Sequence, residues 1–248
     1  MASKLDLTFS NIAPEGDHAL VCIVGAKGKL FPSLDKDIAA SVIAAMATAQ
    51  FTGEADKSLT LHLEAMTVIL IGVGDGPAAG SAAEAFGGRV FSAVSALQSK
   101  RAFLPDQGIA DEVLADLVLG MQSAAYHFET YFTETTSRVG TVQVTIVSDS
   151  VTAETPVVAD RFALMAGVAM ARDLAFEPAN KLYPVVFADR CAELAHLGLE
   201  VSILDEEAMA DLGMGALLGV GQGSRRESRL VVMNWRGGGE EAPIALVG

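Results

Sequence analysis

The sequence is poor in cysteine, basic charge and long apolar runs, and each shortage excludes something. Only two cysteines occur among 248 residues, Cys22 and Cys191. One lies in an apolar strand-like run and the other in a helical pattern. Both read as buried thiols of a reducing compartment rather than a disulfide framework. Lysine and arginine number 17 against 31 acidic residues, a formal net charge of −14. Such a field repels nucleic acid and anionic membrane surfaces. No apolar run reaches the roughly 20 residues that span a bilayer. The start, Met1-Ala2-Ser3-Lys4-Leu5-Asp6, lacks the basic and then apolar regions of a signal peptide. The expectation is a soluble cytoplasmic protein with neither nucleic acid nor membrane as partner.

Metal and nucleophile signatures are also missing. His18, His62, His127 and His196 are the only histidines, and no two stand at metal-ligand spacing. There is no H-E-x-x-H, no C-x-x-C and no G-x-S-x-G nucleophile elbow. Each histidine therefore reads as an ordinary surface or core residue.

What is present is a globular composition, 51% hydrophobic and 19% charged, with enough length for one large domain or two smaller ones. Apolar runs at Leu20–Val24 and Val68–Ile71 read as buried strands, and Leu59–Glu64 alternates as a half-buried one, with His62 and Glu64 on its polar side. Val142–Val147 is a further strand. Helical spacing runs from Asp35 to about Gln50, from Ser81 to Ser99 and from Asp111 to Phe132. Gly87-Gly88 weakens the second of these by about 1 kcal/mol per glycine, which points to a packing reason. Tyr126, Phe128, Tyr131 and Phe132 fall at the end of the third helix and read as packing residues.

The polar stretch from Ser148 to Pro156 closes this first unit. A long helix follows from Val157 to Phe176 and is stopped by Pro178. Pro184 opens another helix, with Phe187, Cys191 and Leu194 as its apolar stripe. Strands are expected at Leu199–Leu204, Leu230–Trp235 and Ile244–Val247, with a short helix at Asp205–Leu212. Alternating strands and helices define an α/β protein. The last strand has no covering helix after it, as a parallel sheet requires, so a truncated chain is expected.

Two glycine-rich stretches invite a phosphate-loop reading. In Gly72-Val73-Gly74-Asp75-Gly76-Pro77, proline stands where a dinucleotide fingerprint has glycine, and no P-loop lysine follows. A tight strand-to-helix turn is the simpler reading. Gly219-Val220-Gly221-Gln222-Gly223-Ser224 fails at its last position. Arg225, Arg226 and Arg229 read as solvated turn charges. Composition and spacing alone thus lead to a two-part α/β protein without an identifiable active site.

Several segments nevertheless resemble one family. Ala171-Arg172-Asp173-Leu174 with Glu177-Pro178-Ala179-Asn180 looks like a linker-helix exit. The run from Leu212 to Ser224 is the most specific match, and Arg229–Val232 and Pro243–Gly248 follow in order. Val68–Gly74 and Leu119-Gly120, with Tyr126, Phe128 and Tyr131, fit more loosely. All are similar to the leucyl aminopeptidase family. That resemblance implies an N-terminal domain like a macro domain over 1–155, a linker helix over 156–180, and the start of a catalytic domain over 181–248. It implies a hexameric enzyme that releases N-terminal residues from peptides, with two divalent metals, manganese or zinc, activating a water. In the family, the strand matching Ile244–Gly248 runs into a lysine and an aspartate that begin the metal set. No catalytic, cofactor-binding or metal residue of this chain is therefore assigned, and the chain alone is expected to be inactive. Phe176, Tyr183 and Val185 depart from the family pattern, which has asparagine, a threonine N-cap and an acidic residue there, close to the join between domains. A macro-like module for a phosphate-bearing ligand such as ADP-ribose, and an oligomerisation or nucleic-acid role for the first domain, remain the alternatives. The charge opposes nucleic acid.

Overall fold

A computed structural model describes residues 5–30, 34–64, 66–76, 79–105, 108–133 and 140–248. It divides into two compact units, Met1–Arg172 and Asp173–Gly248. The division falls inside one helix.

In the first unit, strands β1 (Leu5–Ser10), β2 (Ala19–Gly25) and β3 (Lys29–Leu30) precede helix α1 (Lys36–Thr48). Strands β4 (Ser58–His62) and β5 (Thr67–Gly74) lead into α2 (Ser81–Ser95). Then come β6 (Arg101–Pro105), α3 (Asp111–Ala125), β7 (Val142–Val147) and α4 (Pro156–Phe176). The sheet order is β1-β7-β6-β2-β5-β4, with β3 paired to β2. All neighbours on this path are parallel except β4, which runs antiparallel to β5.

Strand alternation builds two cores. Val21, Ile23, Ile69 and Ile71 face one side with Phe86 and Val90 of α2 and Leu117 and Met121 of α3. Leu20, Cys22, Val24, Val68 and Leu70 face the other side with Val42 and Met46 of α1. Helices therefore cover both faces, which is why β2 and β5 read as unbroken apolar runs. On β4 the exposed and half-buried residues alternate, and His62 and Glu64 are both exposed, as the sequence pattern implies.

This unit departs from the sequence expectation at several elements. Strands β1, β3 and β6 are not among the strands that the spacing predicts. β1 alternates as Leu5-Asp6-Leu7-Thr8-Phe9-Ser10 and pairs with β7, so its signal was present. β6 is only five residues and ends on Pro105. Helix α3 ends at Ala125, not Phe132: Tyr126 is extended at ψ 128. No glycine or proline compels that exit. A tertiary contact accompanies it, the Arg172 guanidinium lying 4.0 Å above the Tyr126 ring. Phe128 and Tyr131 stack beyond the helix with centroids 5.9 Å apart.

Of the glycine pair in α2, Gly87 has the expected packing reason and Gly88 meets only ordinary contacts. A β-carbon on Gly87 would overlap the Leu117 carbonyl, and one on Gly120 would overlap the Glu84 carbonyl. The two helices cross backbone to backbone at these points.

The second unit holds α5 (Pro184–Glu193), β8 (Glu200–Leu204), α6 (Glu206–Asp211), α7 (Gly215–Gly221) and β9 (Leu230–Asn234). β8 and β9 pair antiparallel as a two-stranded sheet. Asp205 caps α6, its carboxylate accepting the Ala208 N–H at 2.9 Å. The expected strand at Ile244–Val247 does not form. Ile244, Leu246 and Val247 are 91%, 94% and 97% exposed, and no described strand lies alongside to satisfy their backbone groups. Among the described residues no helix is long and apolar enough to cross a membrane.

Candidate functional site

Among the described residues a concave place with polar groups occurs in each unit.

In the first unit, β5 ends in the glycine turn and α2 starts just beyond it. Three of the turn's amides are spent internally. Gly72 N–H donates to Lys57 O at 2.9 Å, Gly74 N–H to Gly53 O at 2.8 Å and Gly76 N–H to Val73 O at 3.3 Å. Gly72 has no room for a side chain, because the Glu54 carbonyl occupies that position, and Gly74 is left-handed at φ +61. These bonds make the stretch a tight turn rather than a phosphate cradle. Pro77, on which the sequence argument turned, lies outside the described residues. Beside the turn is a cavity of about 150 Å³, bordered by Ala55, Val73, Gly76, Ala83, Phe86 and Arg89. Arg89 Nη2 donates to the Gly72 carbonyl at 3.4 Å. Its Nε is buried without a hydrogen-bond partner. Burial pulls the Arg89 pKa below its ordinary value, and the field of Asp56 acts in the opposite direction.

Deeper in the same unit, Asp116 of α3 is 4% exposed. Its carboxylate accepts the Gly80 N–H at 2.6 Å and the Arg161 Nε–H at 2.7 Å. Burial pushes the carboxyl pKa up, but the Gly80 bond and Arg161 outweigh it, so the net direction is down. The pair joins the start of α2 and helix α4 to α3. Asp116 has no motif around it, and a lone Asp in an apolar helix is the only sequence signal that could have marked it.

In the second unit an open, mostly apolar groove of about 670 Å³ is lined by residues including Tyr183, Phe187, Cys191, Leu230, Met233 and Leu246. Tyr183 precedes α5 in the N-cap position without a side-chain cap bond, and its ring lies 3.9 Å beneath the Arg226 guanidinium. Arg229 donates from Nη2 to Glu227 at 2.6 Å and from Nη1 to the Ser228 carbonyl at 2.8 Å. Arg226 and Arg229 are thus paired, not merely solvated as their turn setting suggests. The glycine-rich stretch from Gly215 to Gly221 is the short helix α7, and a side chain at Gly221 would overlap Ser228 Oγ.

The remaining candidates stay apart. His62 Nδ1 meets Thr67 Oγ1 at 3.2 Å, and His196 Nδ1 contacts the Glu193 carbonyl. Both cysteines are buried and free. Burial pushes the Cys22 thiol up to about 12 and raises that of Cys191. Among the described residues no group of three or more His, Cys, Asp or Glu side chains could hold a metal ion.

The architecture is that of a two-part α/β protein, and comparison with known proteins says which. The family model for the cytosol aminopeptidase N-terminal domain matches residues 23–135, and that for the catalytic domain of the same family matches residues 169–248. Together they take in more than half of the chain, in the family's order. The chain belongs to the cytosol aminopeptidase family. A probable cytosol aminopeptidase of Gluconobacter oxydans (strain 621H) is 37% identical over 260 residues, covering 100% of this chain and 52% of that protein. One from Rhizobium meliloti (strain 1021) is also 37% identical, over 262 residues, 100% of this chain and 53% of that protein. A third, from Dinoroseobacter shibae (strain DSM 16493 / NCIMB 14021 / DFL 12), is 47% identical over 135 residues, 54% of this chain and 27% of that protein. The chain spans about half the length of the full-length matches among these relatives.

Among solved structures, a mutant tomato leucine aminopeptidase aligns with a TM-score of 0.69 at 18% identity, over 88% of this chain and 48% of that one. The bottromycin maturation enzyme BotP in complex with Mn aligns with a TM-score of 0.64 at 23% identity, over 88% and 45%. Both likenesses speak to the fold.

Proposed function

We propose that this chain supplies the N-terminal domain and the opening segment of the catalytic domain of a metal-dependent aminopeptidase, which releases N-terminal residues from peptides. The ordered match to both family domains carries this reading. The domain plan is 1–155, a linker helix over 156–180 and the catalytic start over 181–248. The enzyme would use two divalent ions, manganese or zinc, to activate a water, act in the cytoplasm and assemble as a hexamer. Manganese is favoured by the likeness to BotP, a structure of which holds Mn.

Among the described residues no group of three or more His, Cys, Asp or Glu side chains could hold a metal ion. On this reading the metal ligands lie in the half of the relatives' length that this chain does not span. What these residues contribute is a folded first unit and the helix leading into the catalytic segment.

The test is hydrolysis of a leucine anilide with added Mn²⁺. A longer protein carrying this chain as its N-terminal part is expected to turn it over. The chain of 248 residues alone is expected to show no metal-dependent release. Turnover by the chain alone would overturn the assignment of the chemistry to residues elsewhere.

A further inference from the structure

We propose that the cavity between the end of β5 and helix α2 binds a small aliphatic carboxylate, held by Arg89. Four observations lead there. The cavity is about 150 Å³, which at roughly 30 Å³ per water is the space of about five waters. Its border is otherwise apolar: Ala55, Val73, Ala82, Ala83 and Phe86 contribute no side-chain polar atom. Its one cationic group among the described residues is Arg89, whose Nε–H is buried with no acceptor in the fold, a state that native structures rarely leave unexplained. The neighbouring turn amides of Gly72, Gly74 and Gly76 already donate within the fold.

These facts select the ligand. A phosphate group wants several donors around a tetrahedron, and the turn has none of these three to offer. A carboxylate is planar and matches the guanidinium fork with two N–H bonds. The apolar remainder of the cavity suits a short hydrocarbon tail. With the chain at −14 and Asp56 acting on Arg89 through space, a singly charged anion meets less repulsion than a doubly charged one. The site lies at the carboxyl end of a parallel strand, where open α/β sheets place their ligands. It is independent of the aminopeptidase reading, and neither stands or falls with the other.

The experiment uses the whole chain, with butyrate as the probe and amide chemical shifts as the readout. Butyrate at millimolar concentration is expected to shift Gly76, Ala83, Phe86 and Arg89 saturably. Butyramide, which has the same shape without the charge, and inorganic phosphate are expected not to. Arg89→Gln should weaken butyrate binding by about tenfold or more. Ala85→Leu, an exposed helical position on the cavity border, should block it while Arg89 stays intact. That second variant keeps the proposal testable if Arg89→Gln does not fold. No shift with butyrate, or equal shifts with butyramide, or equal binding by a folded Arg89→Gln, would overturn the proposal. Tighter binding of phosphate than of butyrate would do so as well.

Discussion

Gly87 of α2 lies directly against the Leu117 carbonyl of α3, so close that no β-carbon fits between them. Gly120 repeats the relationship against Glu84 from the other helix. Two helices can approach this far only where one presents bare backbone.

The sign of two neighbouring substitutions tests that contact. Helix propensity alone favours alanine over glycine by about 1 kcal/mol. Gly88→Ala meets only Ala124 Cβ at 3.8 Å and Gly120 O at 4.0 Å, so it should be neutral or stabilising by up to about 1 kcal/mol. Gly87→Ala must push the helices apart and should destabilise by roughly 1–3 kcal/mol. Urea unfolding of both variants decides it, and equal effects would remove the packing explanation.

Asp116 makes the fold sensitive to acid. Its folded pKa lies below the ordinary carboxylate value, so its contribution is present above that value and lost as pH falls through the depressed folded pKa. Asp116→Ala leaves Arg161 without its partner and Gly80 N–H without its acceptor. With Arg161 30% exposed, a loss of about 3 kcal/mol is expected. The variant's stability should also fall less steeply than that of the native chain in strong acid. Parallel denaturation curves across the acid range check both points.

The cysteines should be slow to react in the folded chain. Burial holds the Cys22 thiol up at about 12, so the nucleophilic thiolate is scarce at about pH 8. Cys191 is also buried and its pKa raised. Mass spectrometry after iodoacetamide should find little alkylation before denaturation and two adducts after it. Rapid native labelling of Cys22 would contradict its place beneath α1.

In the second unit, Tyr183 pairs with Arg226 where a capping side chain would otherwise sit. Tyr183→Ala should lose about 0.5–1 kcal/mol from the cation–π contact. Tyr183→Thr should recover most of it, since a threonine cap is worth about 1 kcal/mol. A double-mutant cycle with Arg226→Ala measures the coupling, and additive effects would show that the stacked pair contributes nothing.

Much of this was open to inspection in the residues. The unbroken runs Leu20–Val24 and Val68–Ile71 implied strands covered on both faces, and the alternation of β4 implied one wet face. The glycine pair in α2 implied a close neighbour, though not which helix supplied it. Arg226 and Arg229 looked like turn charges because their partners, Tyr183 and Glu227, are set by the fold or lie in the same loop without periodic pattern. The end of α3 is not legible in the residues, because Ala125-Tyr126 carries no breaker and the Arg172 contact that goes with it lies far along the chain.

The candidate cavity was only half visible. The glycine turn drew attention, but its amides proved to be occupied, and Arg89 gave no signal at all. Residue type and local period are enough for the family, for most of the alternation of strands and helices and for the burial of β2, β4 and β5, but not for β6 or for the exposed Ile244–Val247. Which polar groups are left without a partner depends on packing between distant segments, which no local pattern records. An arginine on a helix is the same letter whether its Nε–H finds an acceptor or stays buried without one, and only the packing of β5 against α2 distinguishes them.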